Sequence, residues 1–124
     1  MGTIKVAIVD DEKQILDMLQ GFLQYTLKYT VKVYKNPLTA LEEIDHNIDI
    51  VLLDIMMPQM NGLELLPKLQ QKCPDLKVIM MTAYSTLDKV LDAHRGGAVH
   101  YVMKPFESLK ALEEQIENLA TASQ

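Results

Sequence analysis

The chain has 124 residues, of which 48% are hydrophobic, with one cysteine and a formal net charge of -5 at pH 7. This length fits one domain with a single core and excludes a second domain. One cysteine excludes a disulfide framework, and an acidic chain without a basic cluster excludes direct nucleic-acid binding. The amino-terminal apolar run is too short for a signal peptide. We therefore predict a cytoplasmic protein that contacts no membrane.

The first quarter of the chain predicts a strand followed by a helix. Residues Ile4 to Val9 (IKVAIV) form a short apolar run that ends at two acids, Asp10 and Asp11. Asp11 and Glu12 favour the positive end of a helix dipole. The apolar residues that then recur at helical spacing are Ile15, Leu16, Leu19, Phe22, Leu23 and Leu27.

A second strand, a second helix and a central strand follow. Val31 to Tyr34 (VKVY) alternates as a half-exposed strand does, and Asn36-Pro37 then opens a short helix that reaches Ile44. Ile50 to Leu53 is an unbroken apolar run of the length of a strand buried on both faces. It stops at Asp54, and Pro58, Asn61 and Gly62 behind it indicate a tight loop.

Two further strands and three helices complete the pattern. A third helix carries Leu63, Leu65, Leu66 and Leu69, and it ends before Cys73-Pro74. Lys77 to Met81 is a fourth strand ending at Thr82, and a fourth helix opens at Ser85 and closes at Gly96-Gly97. Ala98 to Met103 is a fifth strand ending at Lys104, and a last helix carries Leu109, Leu112, Ile116 and Leu119.

Five strands alternating with five helices predict an α/β fold, a doubly wound parallel sheet covered on both faces. All strands of such a sheet end at one edge. The residues at those ends are Asp10, Asp11, Asp54, Thr82 and Lys104. Open α/β sheets bind their ligands at this edge, so these side chains form the candidate site.

The predicted site combines three carboxylates with a lysine and a hydroxyl. An all-oxygen acidic cluster suits a hard divalent ion, and Mg²⁺ is the usual choice where phosphate is handled. Lys104 and Thr82 could hold the oxygens of a phosphoryl group opposite the metal. Asp54 is the natural nucleophile, because an ionised aspartate needs no activating base to form an acyl phosphate.

These residues resemble the receiver domain of two-component response regulators. The set that carries the resemblance is Asp10-Asp11, Asp54 with its MPQMNG loop, Thr82-Ala83, Tyr101 and Lys104-Pro105-Phe106. The resemblance covers about residues 4 to 120 and implies the flavodoxin-like sheet order 2-1-3-4-5. It also implies that residues 1–124 are a single receiver domain, with no output domain in this chain.

The resemblance assigns a role to each residue of the set. It implies that a histidine kinase or phosphotransfer protein phosphorylates Asp54. It implies that Asp11, Asp54 and the backbone carbonyl of Met56 hold Mg²⁺, with Asp10 acting close by. Lys104 and Thr82 would contact the phosphoryl oxygens, and Tyr101 would follow Thr82 as the aromatic part of a switch. The domain would then control a downstream protein or an output domain.

Two other classes of protein are alternatives. A phosphohydrolase of the haloacid dehalogenase type also uses an aspartyl phosphate and Mg²⁺, but it needs an acid two residues after the nucleophile, where this chain has Met56. A structural interaction module could keep the fold without phosphorylation. Such a module is expected to lose an acid or the lysine, and this chain retains both. Whether the receiver acts alone or as part of a longer regulator stays open.

Overall fold

Five parallel strands form one sheet in the computed structural model, which describes residues 3–82, 100–103 and 108–121. The strands are β1 (Ile4–Val9), β2 (Tyr29–Tyr34), β3 (Ile50–Asp54), β4 (Lys77–Thr82) and β5 (His100–Met103). They are arranged as β2-β1-β3-β4-β5, with every neighbouring pair parallel. This is the order that the resemblance implied, and it places β1 beside β3.

Four helices lie in the described part of the chain. They are α1 (Lys13–Tyr25), α2 (Pro37–Glu43), α3 (Gly62–Lys72) and α4 (Leu109–Thr121). Each coincides with a helix predicted from apolar periodicity. The further helix predicted between Ser85 and Gly97 lies outside the described residues.

The core has two layers, one on each face of the sheet. On one face, Val9, Leu53 and Met80 of the central strands pack with α2 and α3. On the other face, Ile8 and Leu52 pack with α1 and α4. Alternate residues of the same strands thus enter opposite layers, and this explains why β3 is apolar throughout. The doubly wound α/β fold is confirmed.

Side chains fix the ends of α2 and α3. The Asn36 side chain accepts a hydrogen bond from the backbone N–H of Leu38 at the start of α2. Asn61 and Glu64 form a reciprocal capping box at the start of α3. At the other end of α3, the Lys72 ammonium donates to two carbonyls in the last turn of α2, those of Leu41 and Glu42, at 2.8 and 2.9 Å. This lysine links the two helices on one face of the sheet.

The first helix is shorter than its apolar spacing predicted. Leu27 was expected on the helix, but α1 ends at Tyr25 and Leu27 has a φ of 62° with its side chain 83% exposed. The Thr26 hydroxyl donates to the Leu23 carbonyl, and this bond competes with continuation of the helix. The extension to Leu27 was therefore wrong, because the chain turns there to enter β2, which begins at Tyr29 rather than Val31.

The amino ends of the strands are joined by polar bonds. Asp49, just before β3, donates its N–H to the Lys5 carbonyl and accepts from the Lys5 N–H through its carboxylate, at 2.9 and 2.8 Å. The Tyr29 hydroxyl donates to the Glu113 carboxylate of α4 at 2.9 Å. A cavity of about 250 Å³ also opens at this edge, between the loops that precede β3 and β4.

None of the described helices combines the length and the apolar character needed to cross a membrane.

Candidate functional site

Two buried acids end neighbouring strands of the sheet. Val9 of β1 lies opposite Leu53 of β3 in the parallel register, so the residues that follow them, Asp10 and Asp54, lie at the same level. Their relative exposures are 0% and 2%. A buried carboxylate requires compensating hydrogen bonds or a cation, because burial removes its hydration. The sheet therefore concentrates negative charge at its carboxyl edge.

The segment after β1 brings three acids together. Asp10, Asp11 and Glu12 each offer a carboxylate oxygen, and these oxygens all lie within 4.8 Å of one another. Asp10 is buried, Asp11 is half-buried and Glu12 is exposed. The Asp10 Oδ1 atom accepts from the Glu12 N–H at 2.9 Å, and this bond folds the segment back over the strand end.

Glu12 is the member of this group that the sequence analysis did not propose as a ligand. Its place beside Asp10-Asp11 at a strand end was visible, but we assigned Glu12 only to the helix dipole. The structure shows Glu12 at the amino-terminal cap position of α1 with no side-chain capping bond. Asp54 is not a member of this group of three.

The donor set fits a hard divalent cation. Every candidate ligand at this edge is an oxygen, from Asp10, Asp11, Glu12, Asp54 or the Met56 carbonyl. Such a set suits Mg²⁺, which takes few protein ligands and keeps several waters, better than it suits a soft metal. No histidine or cysteine belongs to the acidic group within the described ranges.

The loop behind Asp54 is tied to the strand end by short hydrogen bonds. The Asp54 Oδ1 atom accepts from the Met56 N–H at 3.3 Å. Ile55 bonds in two directions, because its N–H donates to the Met81 carbonyl of β4 at 3.0 Å and its carbonyl accepts from the Gly62 N–H at 2.8 Å. Asp54 and the proposed carbonyl ligand on Met56 are thus held on one continuous backbone frame.

The start of α3 reaches the same strand end. A side chain at Gly62 would collide with the backbone carbonyl of Asp54, so the first turn of α3 packs directly on that peptide group. The positive end of the helix dipole consequently lies beside Asp54. The Met56 side chain points to the surface at this position and is 46% exposed.

A tyrosine borders the acidic edge without adding charge to it. The backbone carbonyl of Tyr34, the last residue of β2, accepts from the Asp10 N–H at 3.1 Å. Burial, and then the nearby carboxylates of Glu43 and Asp45, raise the pKa of the Tyr34 phenol. The phenol stays neutral at physiological pH, and the acids that act on it are Glu43 and Asp45 rather than those of the site.

Three predicted site residues are described incompletely or not at all. Thr82 ends β4, and Tyr101 lies opposite Met80 in β5. Only their backbones are described, and Lys104 lies outside the described residues. Thr82 pairs with Met103, the residue that precedes Lys104, so the described backbone carries the chain toward the same edge.

Comparison with known proteins identifies the family. Residues 6–117 match the family model of the response regulator receiver domain. The chain is 37% identical over 111 residues to the chemotaxis protein CheY of Listeria monocytogenes, covering 89% of this chain and 93% of that protein. It is 35% identical over 105 residues to the transcriptional regulatory protein ZraR of Klebsiella oxytoca, covering 84% of this chain but only 24% of ZraR.

Solved structures agree with this result. The CheY-like response regulator receiver domain protein of Methanospirillum hungatei JF-1 superposes with a TM-score of 0.89 at 31% identity, covering 98% of this chain and 96% of that one. This similarity favours a receiver over the phosphohydrolase alternative, since the matched proteins share both the fold and the sequence pattern. The chain belongs to the response regulator receiver domains of two-component systems.

Proposed function

We propose that this receiver accepts a phosphoryl group on Asp54, in a Mg²⁺-dependent reaction, from a histidine kinase or a phosphotransfer protein. The observation that carries the proposal is the position of Asp54. It is buried at the end of β3, level with Asp10 of the neighbouring strand and beside the start of α3. This is where the sheet can present one carboxylate oxygen to an incoming phosphorus atom.

The acidic edge supplies the means to hold the metal. Asp11, Asp54 and the Met56 carbonyl would hold Mg²⁺, with Asp10 and Glu12 close by. The bound ion would neutralise charge on the phosphoryl oxygens. Asp54 attacks phosphorus through a carboxylate oxygen, and the bond from phosphorus to the donor's nitrogen breaks. The buried frame around Ile55 keeps the Asp54 carboxylate oriented for this attack.

We assign the other two phosphoryl contacts, Thr82 and Lys104, from their positions in the chain. Thr82 ends β4, and Lys104 is the next residue in sequence after Met103, the last residue of β5. In the proposal, the Lys104 ammonium pairs with a phosphoryl oxygen and the Thr82 hydroxyl donates a hydrogen bond to another. These contacts exist only after transfer and can therefore favour the active conformation.

A partner or an output domain would recognise the phosphorylated state at the side of the sheet formed by β4 and β5. We propose that Thr82 and Tyr101 couple the site to a surface that includes β5, α4 and the helix that the sequence predicts between Ser85 and Gly97. The coupling needs only about 1 to 3 kcal/mol to shift an existing equilibrium between two conformations. Amide chemical shifts that change on phosphorylation through residues 85–102 would support this path, and changes confined to the loops at Asp11, Asp54 and Thr82 would contradict it.

The proposed role is signalling rather than turnover of a separate substrate. The chain would be one receiver domain over residues 1–124, acting in the cytoplasm and catalysing only its own phosphorylation and dephosphorylation. Its target is a downstream protein or an output domain. Its relatives include a protein that is little longer than a receiver and one that is much longer, since the chain spans nearly all of the Listeria CheY and about a quarter of ZraR.

Intact mass spectrometry tests the assignment. Wild type incubated with acetyl phosphate and Mg²⁺ should gain one phosphate mass, and the gain should disappear when the metal is chelated. Asp54→Asn should gain nothing. Asp49→Asn is the matched control, because it removes the same charge at the opposite end of β3, and it should label as wild type does. Full labelling of Asp54→Asn would overturn the proposal, and a wild type that never labels would favour the structural-module alternative.

A further inference from the structure

We propose that Gly62 is a positioning residue for the phosphorylation site, and that the lack of a side chain there sets the orientation of Asp54 and of the Met56 carbonyl. The inference rests on the proposed function of Asp54. Gly62 contributes no functional group to the chemistry. Its role would be to let the first turn of α3 approach the end of β3 more closely than any other residue permits.

The contact that carries this inference is between backbones. A Cβ atom built on Gly62 would collide with the carbonyl oxygen of Asp54 and would lie 3.0 Å from both the Asp54 carbonyl carbon and the Cα atom of Ile55. Real Cβ atoms essentially never come as close to another atom as this one would come to the Asp54 carbonyl oxygen. All three of these atoms belong to the backbone and none can rotate away as a flexible side chain could, so a substitution at Gly62 has to move α3 or the strand end.

The hydrogen bonds around Ile55 would transmit that movement to the site. The Gly62 N–H donates to the Ile55 carbonyl, and the Ile55 N–H donates to Met81 at the end of β4. Ile55 lies between Asp54 and Met56, and the Met56 N–H in turn donates to the Asp54 carboxylate. Displacing α3 therefore pulls on one peptide that separates the proposed nucleophile from the proposed metal ligand.

The position of Gly62 within α3 shows that glycine is not required by the helix. Gly62 is the first residue of α3, and Asn61 and Glu64 already complete the capping box around it. Its φ is not in the left-handed region that favours glycine. Helix propensity alone would favour alanine here. The close approach to Asp54 is the feature of the structure that explains glycine.

The test compares Gly62→Ala with a glycine that has room for a side chain. Gly21 is exposed on α1, and a Cβ atom there would meet nothing within 4 Å. Gly21→Ala should raise the midpoint of thermal unfolding by about 3 °C and leave the site unchanged. Gly62→Ala should remain folded but label with acetyl phosphate at least about tenfold more slowly, because small displacements of reacting groups reduce rates strongly.

Two readouts separate positioning from general loss of stability. Before any metal or phosphate is added, the amide signals of Ile55 and Met56 should shift in Gly62→Ala and not in Gly21→Ala. Asn61→Ala removes the cap of α3 without adding bulk against Asp54. It should lower the unfolding temperature and label at nearly the wild-type rate, whereas a role of Gly62 in stability alone would slow both variants in proportion to their unfolded fractions.

The possible outcomes all bear on the proposal. If wild type labels at Asp54 and folded Gly62→Ala labels equally fast, the positioning role is wrong while the proposed function stands. If wild type does not label, the proposed function fails, and the amide shifts alone still report whether Gly62 orients Ile55 and Met56. If Gly62→Ala alone is unfolded, the stabilising substitution Gly21→Ala is added to it. Labelling and amide signals of this double variant are then measured at low temperature. A double variant that still does not fold would overturn the proposal, since the whole fold would then need Gly62.

Discussion

The two edges of the sheet use acidic residues in opposite ways. At the amino edge, Asp49 is exposed and its carboxylate accepts from the Lys5 N–H, so the acid joins two segments of backbone. At the carboxyl edge, Asp10 and Asp54 are buried beside further carboxylates. The first arrangement holds the fold together, whereas the second concentrates like charges that a cation would neutralise. The acid at the amino edge thus serves stability, whereas the acids at the carboxyl edge suit the proposed function at a cost in stability.

The largest effect is expected on metal binding at the carboxyl edge. Asp11→Ala should weaken Mg²⁺ affinity by more than about tenfold, and more than Asp10→Ala does, because in the proposal Asp11 contacts the metal directly whereas Asp10 lies only close by. Titration monitored by amide chemical shifts measures the affinity. The control is Asp75→Ala, an exposed acid near the amino edge with the same charge. Equal Mg²⁺ affinities in wild type and Asp11→Ala would show that the metal does not bind at the carboxyl edge.

Removing one acid from each edge should change stability with opposite signs. Asp54→Asn keeps the shape of the side chain and an oxygen that can accept from Met56, so in the absence of divalent cations it should raise the free energy of unfolding by about 1 kcal/mol. Asp49→Ala loses the bond to Lys5 and should lower it by about 1 kcal/mol. Urea unfolding in EDTA measures both. Destabilisation by both substitutions would break the distinction between the edges.

At the amino edge, the stability contributed by Tyr29 should depend on pH in the alkaline range. Burial, followed by the hydrogen bond and the negative charge of Glu113, raises the pKa of the Tyr29 hydroxyl well above its usual value. The unfolded tyrosine titrates near pH 10. The stabilisation from Tyr29 is therefore complete below about pH 10 and is lost as the pH rises toward the folded pKa.

Comparison with Tyr29→Phe measures this contribution. At pH 7 the variant should be about 1 kcal/mol less stable than wild type, since it lacks the bond to Glu113. In urea unfolding experiments above pH 10, the difference in the free energy of unfolding between wild type and Tyr29→Phe should become smaller. Tyr25→Phe is the control, because Tyr25 is 88% exposed and its substitution should leave stability unchanged at every pH. A difference that grows with pH would contradict the assigned direction of the Tyr29 pKa.

The smallest effect is expected at the turn that leads into β2. Leu27 has a left-handed backbone conformation that disfavours leucine, and its exposed side chain contributes little packing. Leu27→Gly should stabilise the protein by about 0.5 kcal/mol, since relief of this strain exceeds the added freedom of the unfolded chain. The free energy from urea unfolding is the measurement, with Leu38→Gly in α2 as a destabilising control. A loss of stability in Leu27→Gly would show that the turn is not strained.

The fold was predictable from sequence where apolar periodicity agrees with residues that begin or end a helix or strand. The start of β3 at Ile50 followed from an apolar run, and the start of α2 followed from Asn36-Pro37, where the Asn36 side chain accepts a capping hydrogen bond. The end of α1 was not predictable, because Leu27 continues the apolar spacing while the backbone turns. Spacing reports which face a side chain would occupy and contains no information about φ.

The site was predictable as a set of strand ends, but its geometry was not. Asp10 and Asp54 were assigned to one edge because parallel strands end together, and the register places them at one level. Glu12 belongs to the acidic group as well, and its backbone N–H donates to Asp10, a contact that sequence spacing does not show. Gly62 was visible as a loop residue, whereas its contact with the Asp54 carbonyl is a tertiary feature that no local pattern encodes.

The attachment of α4 has a consequence for synthesis of the protein on the ribosome. Leu112, Ile116 and Leu119 complete the core layer that also contains α1, and Tyr29 is joined to Glu113 across 84 residues of chain. Until this last helix has left the ribosomal exit tunnel, one face of the sheet exposes apolar residues to water. The domain should therefore complete its fold only at the end of its own translation, and chaperones would meet an unfinished sheet until then.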